Sequence, residues 1–188
     1  MSSDGPELWV VRHGETEWSR DGRHTSTTDL PLTEDGEAAA AALAPRLAEV
    51  AFDLVLTSPR RRARRTAELA GFPDAEVDED LVEWAYGDYE GVTTAEVRET
   101  VPGWTVWTHP TPGGETPDEV AARLDRVVAR ARRHDRALVF AHGHSLRVLT
   151  ARWLEQSPAE GRFFKLDTST ISVLGYEREH PTLLSWNS

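Results

Sequence analysis

The 188-residue sequence contains no cysteine. Disulfides, thiolate zinc sites, iron–sulfur clusters and a cysteine nucleophile are therefore excluded. No apolar run approaches the ~18 residues that a membrane span needs. The first residues, Met1-Ser2-Ser3-Asp4-Gly5-Pro6, carry neither the basic nor the apolar stretch of a secretory leader, so a soluble cytoplasmic chain is expected. Positive charge is scarce. Lys and Arg number 21 against 32 Asp and Glu, a formal net charge of −11. That balance argues against a nucleic-acid binder, which needs a basic face, and against docking on anionic lipid. Lysine is nearly absent: Lys165 is the only one, and every other cationic side chain is arginine. A GC-rich genome accounts for such a bias, and so does planar recognition of phosphate or carboxylate, which guanidinium does better than ammonium. The length suits one domain over residues 1–188, and its core can bury roughly 70% of the unfolded surface without a staple.

What is present alternates. Leu8-Trp9-Val10-Val11, Phe52 to Thr57 and Ala137 to Ala141 are short, unbroken apolar runs and read as buried strands. Between them lie helical patterns. Thr33 is a candidate N-cap with two acids behind it, opening a helix toward Val50 that Pro45 should kink or break. Ser58-Pro59 reads as N-cap and N1 of a helix to about Ala70. Asp118 to His134 and Ser145 to Leu154 read as two more helices, and Ser172–Tyr176 with Leu183–Trp186 as a hairpin. Apolar strands alternating with helices predict a three-layer α/β/α sandwich on a mostly parallel sheet. Ligands in such sheets collect at the carboxyl ends of the strands.

Those ends carry Arg12-His13-Gly14-Glu15-Thr16, then Ser58-Pro59 followed by an arginine run, then His142-Gly143-His144-Ser145. Histidines and arginines are delivered to one side of the sheet, a pocket for an anionic group. Neutral imidazole is a nucleophile, guanidinium forks neutralise phosphoryl oxygens, and a carboxylic acid can protonate a leaving alkoxide. No metal or cofactor is required for that chemistry. A metal pair at His142 and His144 is the alternative; metallohydrolase clusters add nearby carboxylates, and none follows in this block.

The run Val10-Val11-Arg12-His13-Gly14-Glu15-Thr16-Glu17-Trp18 resembles the Arg-His-Gly signature of the histidine phosphatase superfamily, which is phosphoglycerate mutase-like. Five more blocks follow in family order: Asp29-Leu30-Pro31-Leu32-Thr33, Ser58 to Ala67, Leu81 to Gly91, Pro112-Gly113-Gly114-Glu115-Thr116 and Ala141 to Ser145. The resemblance implies that His13 is the nucleophile, that Arg12 and Arg62 clamp the phosphoryl oxygens, and that His142 bonds the phosphoryl group. It implies Glu83 as proton donor to the leaving group, and the Gly143 amide as a further phosphate contact. On charge alone Glu79, Asp80, Asp88 and Glu90 compete with Glu83, and helical periodicity leaves Arg65 as a rival to Arg62. Ser19 stands where the family often has asparagine; its hydroxyl can still donate to phosphate. The loop from Gly22 to Thr28 and the Gly87-Asp88-Tyr89-Glu90-Gly91 block resemble the sugar-phosphate branch typified by sedoheptulose bisphosphatase. That branch implies His24, Thr25 and Arg147 at the substrate; the alternative for His24 and Arg147 is a structural or exposed role.

Mutases of the superfamily carry a longer basic lid that keeps water from the phosphohistidine. Here the cover, residues 84–116, is short; between Gly91 and Gly113 it offers Arg98 as its only arginine and two tryptophans, Trp104 and Trp107. These wall the substrate mouth or pack the cover down. Hydrolysis of a small phosphorylated metabolite is expected, by a monomer or homodimer. The alternatives are a mutase-type phosphotransferase and a non-catalytic phosphoryl-binding regulator.

Overall fold

A computed structural model describes residues 5–188; the first four residues of the N-terminal stretch read above lie outside the described residues. The chain order is β1 (Glu7–Arg12), α1 (Glu17–Arg20), α2 (Glu34–Ala41), α3 (Ala44–Ala48), β2 (Leu54–Thr57), α4 (Arg61–Leu69) and β3 (Glu76–Val77). It continues with α5 (Thr94–Thr100), α6 (Pro117–Ala131), β4 (Arg136–Ala141), α7 (Gly143–Trp153), β5 (Ile171–Glu177) and β6 (His180–Ser185). The six strands form one sheet in the order β3-β2-β4-β1-β5-β6. The first four are mutually parallel; β5 runs antiparallel to β1, and β6 forms the expected hairpin with it.

Both sheet faces are covered, which is why the strands are apolar throughout. Ala137, Val139 and Ala141 of β4 point into one core with Leu8, Val10, Leu124, Leu149 and Trp153. Leu138 and Phe140 point into the other with Val11, Leu43, Leu47 and Ala67. The sandwich is therefore three-layered, with α6 and α7 on one face and α2 to α4 on the other. Trp84, Tyr86, Val97, Trp104 and Val106 of the cover join the first core. No helix of the described residues is long and apolar enough to cross a membrane.

Three boundaries differ from the pattern reading. Thr33 does cap α2, accepting from the Gly36 amide, but the helix ends at Ala41 and α3 restarts with Pro45 in its first turn. A proline there lacks the N–H that would continue the ladder. Helix α4 starts at Arg61 with Arg60 at the N-cap; the Ser58 hydroxyl lies 2.7 Å from His142 Nε2 and also accepts from the Arg60 amide at 3.4 Å. Helix α7 starts at Gly143 with His142 as N-cap, and its Ser145 amide is taken by Glu83 from another segment.

Candidate active site

The carboxyl ends of β1 and β4, the segment from Ser19 to Thr25, and the cover enclose a cavity of about 180 Å³. Its wall includes Arg12, His13, Ser19, His24, Glu83 and Arg147. Thr25 and Gly143 also face it. Volumes for drug-sized ligands begin at ~300 Å³, so this cavity fits a small ester. A larger groove of about 400 Å³ lies outside α4 and is lined by Arg61, Arg64 and Arg65. It holds no histidine and not Glu83, so size does not mark the chemistry here.

His13 follows β1 directly and is buried. Its Nδ1 lies 2.7 Å from the Gly14 carbonyl oxygen. A carbonyl only accepts, so Nδ1 carries the hydrogen and Nε2 of the neutral ring keeps its lone pair. Burial, then the charges of Arg62 and Arg12, hold this imidazole well below the usual histidine value. The ring is neutral at pH 7 and fixed in one tautomer. Gly14 secures the loop: its amide donates to Thr66 Oγ1 at 2.9 Å, and a Cβ there would stand 2.5 Å from the Gly36 carbonyl oxygen.

Arg12 donates from Nη1 to the Leu166 carbonyl at 2.6 Å, while its buried Nε has no partner. An unsatisfied buried guanidinium N–H is costly unless a ligand completes it. Its neighbour Gly143 leaves just enough room, since a Cβ there would meet the guanidinium at 3.3 Å.

Arg62 is fully buried behind His13. It donates from Nε to His142 Nδ1 at 3.2 Å, and from its two other nitrogens to the carbonyls of Thr25, Ser26 and Thr28. His142 is also fully buried, with its Nε2 2.7 Å from Ser58 Oγ and its ring 5.2 Å from that of His13. Neither Arg62 nor His142 lines the cavity. Both nitrogens of His142 are occupied by protein groups, so direct bonding to a phosphoryl group is not the arrangement seen. Arg65, the rival of Arg62, faces away and pairs with Glu37 and Glu68.

Glu83 is the acid that reaches the cavity. Its competitors are engaged elsewhere or exposed: Asp80 pairs with Arg126, Glu90 accepts from Ser26 and Thr28, and Glu79 and Asp88 face solvent. Glu83 Oε1 accepts from the amides of Trp84 and Ser145, and Oε2 from that of His144 at 3.0 Å. Each carboxylate oxygen has two lone pairs, so Oε2 retains one for a proton.

An ion pair between buried Arg123 and half-buried Glu115 holds that acid in place. Arg123 binds Glu115 bidentately at 2.8 and 2.9 Å and donates to the carbonyls of Asp80 and Val82. Glu115 Oε2 also accepts from the Ala85 amide. The backbone on either side of Glu83 is thereby pinned to α6.

The remaining expectations divide. Arg147 lines the cavity but donates to the carbonyls of Gly161 and Arg162, with its guanidinium 4.7 Å from the Trp107 ring. His24 is buried, tilted against Tyr86 and edge-on to Trp104. Thr25 Oγ1 donates to the Arg23 carbonyl. Ser19 lines the cavity; its Oγ accepts from the Thr16 amide in the capping box of α1 and donates to the Thr16 carbonyl. Trp104 and Trp107 pack the cover and do not line the cavity. Of the histidines of the metal-pair alternative, His142 contacts Arg62 and Ser58 while His144 contacts Tyr86. Tyr86, His144 and Arg23 also face the cavity and were not anticipated there. Tyr86 follows Glu83 by three residues, and that proximity was the available signal.

Residues 8–188 match the family model of the histidine phosphatase superfamily, branch 1. An acid phosphatase of Mycobacterium tuberculosis is 44% identical over 175 residues, covering 90% of this chain and 86% of its own length. The sedoheptulose 1,7-bisphosphatase of Saccharomyces cerevisiae is 38% identical, covering 81% of this chain and 69% of its own. Among solved structures, an open-reading-frame product of Mycobacterium tuberculosis superposes with a TM-score of 0.92 at 40% identity, covering 97% of each chain.

Proposed function

The chain belongs to the histidine phosphatase superfamily, and from that premise we propose that it hydrolyses small phosphate monoesters through a phosphohistidine on His13. The observation that carries this is the pairing of a neutral, tautomer-fixed His13 with a buried Arg12 whose Nε lacks a partner. Nε2 of His13 attacks phosphorus, and the P–O bond to the alcohol breaks. Arg12 bonds the equatorial oxygens as their charge develops, where preorganised donors act most strongly. Arg62 supplies a second positive charge behind the ring and holds the 25–28 loop by three carbonyls. His142 keeps Arg62 and the nucleophile in register. Glu83 gives the proton from Oε2 to the departing oxygen, then takes one from the water that cleaves the P–N bond.

The acid phosphatase and sedoheptulose bisphosphatase relatives support a phosphorylated metabolite, including sugar phosphates, as substrate. A cavity of about 180 Å³ supports a small one. The short cover admits water to the phosphoenzyme, which favours hydrolysis over return transfer.

The test is turnover of an aryl phosphate in EDTA, with an alkaline detergent quench, in which a phosphoramidate is stable, to trap the intermediate. Steady phosphate release, an acid-labile phosphoprotein, and loss of both in His13→Ala are expected. Activity that EDTA abolishes, or that survives His13→Ala, would overturn the reading. With 3-phosphoglycerate, isomerisation without phosphate release would make the protein a mutase.

A further inference from the structure

The Arg12 guanidinium makes one hydrogen bond among the described residues, from Nη1 to the Leu166 carbonyl at 2.6 Å. Where that carbonyl stands therefore decides where the guanidinium points. The same stretch of chain also reaches the backbone of the site, since the Ser169 amide donates to the Arg12 carbonyl at 3.1 Å. Leu166 itself is part of the cavity wall.

Residues 164–170 form neither helix nor strand, so no ladder fixes them. Side chains from the residues that follow β6 do so instead. Trp186 Nε1 donates to the Lys165 carbonyl at 2.5 Å. Asn187 Oδ1 accepts from the Asp167 amide at 2.7 Å, and Asn187 Nδ2 donates to Asp167 Oδ2 at 2.8 Å. Both ends of one side-chain amide thus serve one residue. The backbone of Asn187 is fixed in turn: its amide donates to Ser172 Oγ, and Ser188 exchanges two backbone hydrogen bonds with Ile171 at the start of β5. Asn187 has φ +54°, a left-handed conformation that asparagine and aspartate tolerate better than other side chains. Aspartate there would have no N–H to give the Asp167 carboxylate. The bond from Asn187, then Lys165, holds that carboxylate below the usual aspartate range, so it is charged at neutral pH. Asn187 is the only asparagine in the chain.

We propose that Asn187 is a positioning residue for phosphoryl transfer: by clamping Asp167 it sets the Leu166 carbonyl, and that carbonyl aims the Arg12 guanidinium at the phosphoryl oxygens. Asn187 does not line the cavity, so it acts through Arg12. This rests on the reading of Arg12 as the phosphoryl clamp.

The experiment exchanges the two partners. Asn187→Asp keeps an acceptor for the Asp167 amide but sets two carboxylates against each other. Adding Asp167→Asn restores the missing donor from the opposite side, at the original net charge. The measured quantities are kcat and KM for p-nitrophenyl phosphate, kcat for an alkyl phosphate, Tm, and the Ki of orthovanadate, whose oxygens stand for those of the transition state. A catalytic group displaced by about 1 Å can cost about 10²-fold, and Arg12 here keeps part of its reach, so Asn187→Asp should lower kcat about tenfold. The loss should be equal on both esters, with the vanadate Ki raised by a similar factor and KM nearly unchanged. The double variant should recover most of both. Unchanged kcat and Ki in Asn187→Asp, a fall in Tm or kcat with Ki intact, or no recovery in the double variant overturns the proposal. Should Asn187→Asp melt below the assay temperature, Asn187→Gly, which keeps the left-handed backbone without the amide, is judged by the same kcat and Ki. Should the unaltered protein bind vanadate but turn over neither ester, the phosphatase reading fails instead, and vanadate dissociation constants of the same variants decide the role of Asn187. An unaltered protein that binds no vanadate overturns both.

Discussion

The strand-end half of the site and the cover use the same residue types to opposite ends. In the cover the charges of Glu90, Glu96, Arg98 and Glu115 have protein partners. Glu90 accepts from Ser26 and Thr28, Glu115 from Arg123 and Ala85, and Thr93 and Thr116 close capping boxes with Glu96 and Glu119. At the strand ends Arg12 and His13 are left incomplete, while Arg62 and His142 next to them are fully bonded. Arg12 Nε is buried without a partner, and His13 and His142 are kept neutral where the pocket charges disfavour their protonation. The difference separates structure from function: completed polar networks fix geometry, while incomplete ones wait for a ligand.

The sharpest way to break that division is at Glu83, which belongs to both halves. Glu83→Gln should lower kcat on an alkyl phosphate ~10²–10³-fold, the range of general-acid catalysis. The loss should be much smaller on p-nitrophenyl phosphate, whose leaving group needs no proton. Equal losses on both substrates would mean that Glu83 acts only as a cap on α7.

Arg123 tests the completed side. Removing one partner of a buried ion pair leaves the other uncompensated, at a cost of about 3 kcal/mol. For a chain of this size Arg123→Gln should lower Tm by roughly 10 °C. A thermal melt showing no shift would mean that the Arg123–Glu115 pair does not hold the cover.

The smallest effect is on pH dependence. His13 and His142 are both held well below 6.5, by burial first and then by Arg62. Below pH 6.5 the unfolded chain takes up protons that the folded chain refuses. Their contribution is therefore complete above pH 6.5 and is lost as pH falls toward the lowered folded values, by about 1.4 kcal/mol per pH unit for each histidine. Melts between pH 7.5 and 5.5 should show Tm falling from about 6.5 downward. A Tm that holds or rises across that window would contradict buried neutral histidines.

Much of this was legible in the chain. Unbroken apolar runs at β1, β2 and β4 require a sheet covered on both faces, and the layers follow from that. The residues after those strands placed His13, Arg12 and the α7 start on one side of the sheet. Less was legible where a side chain chooses between local and distant partners. Ser58 reads as a helix cap and serves His142; Ser19 lines the cavity and also closes the cap of α1, which its spacing alone does not announce. Local spacing contains both options, and only the packing selects between them.

Composition and pattern by themselves determined an arginine-rich anion pocket in an acidic α/β chain, without thiol chemistry. Those conclusions depend on residue identity and on strand direction, which are local. The tertiary structure decided which arginine has an unpartnered nitrogen, which histidine is held in one tautomer at the cavity and which acid enters it. Those depend on partners far apart in the chain, such as Arg12 with Leu166, 154 residues away, and Glu83 with Ser145, 62 away. A net charge of −11 says nothing about such a cavity, because burial and hydrogen bonding set the field inside it.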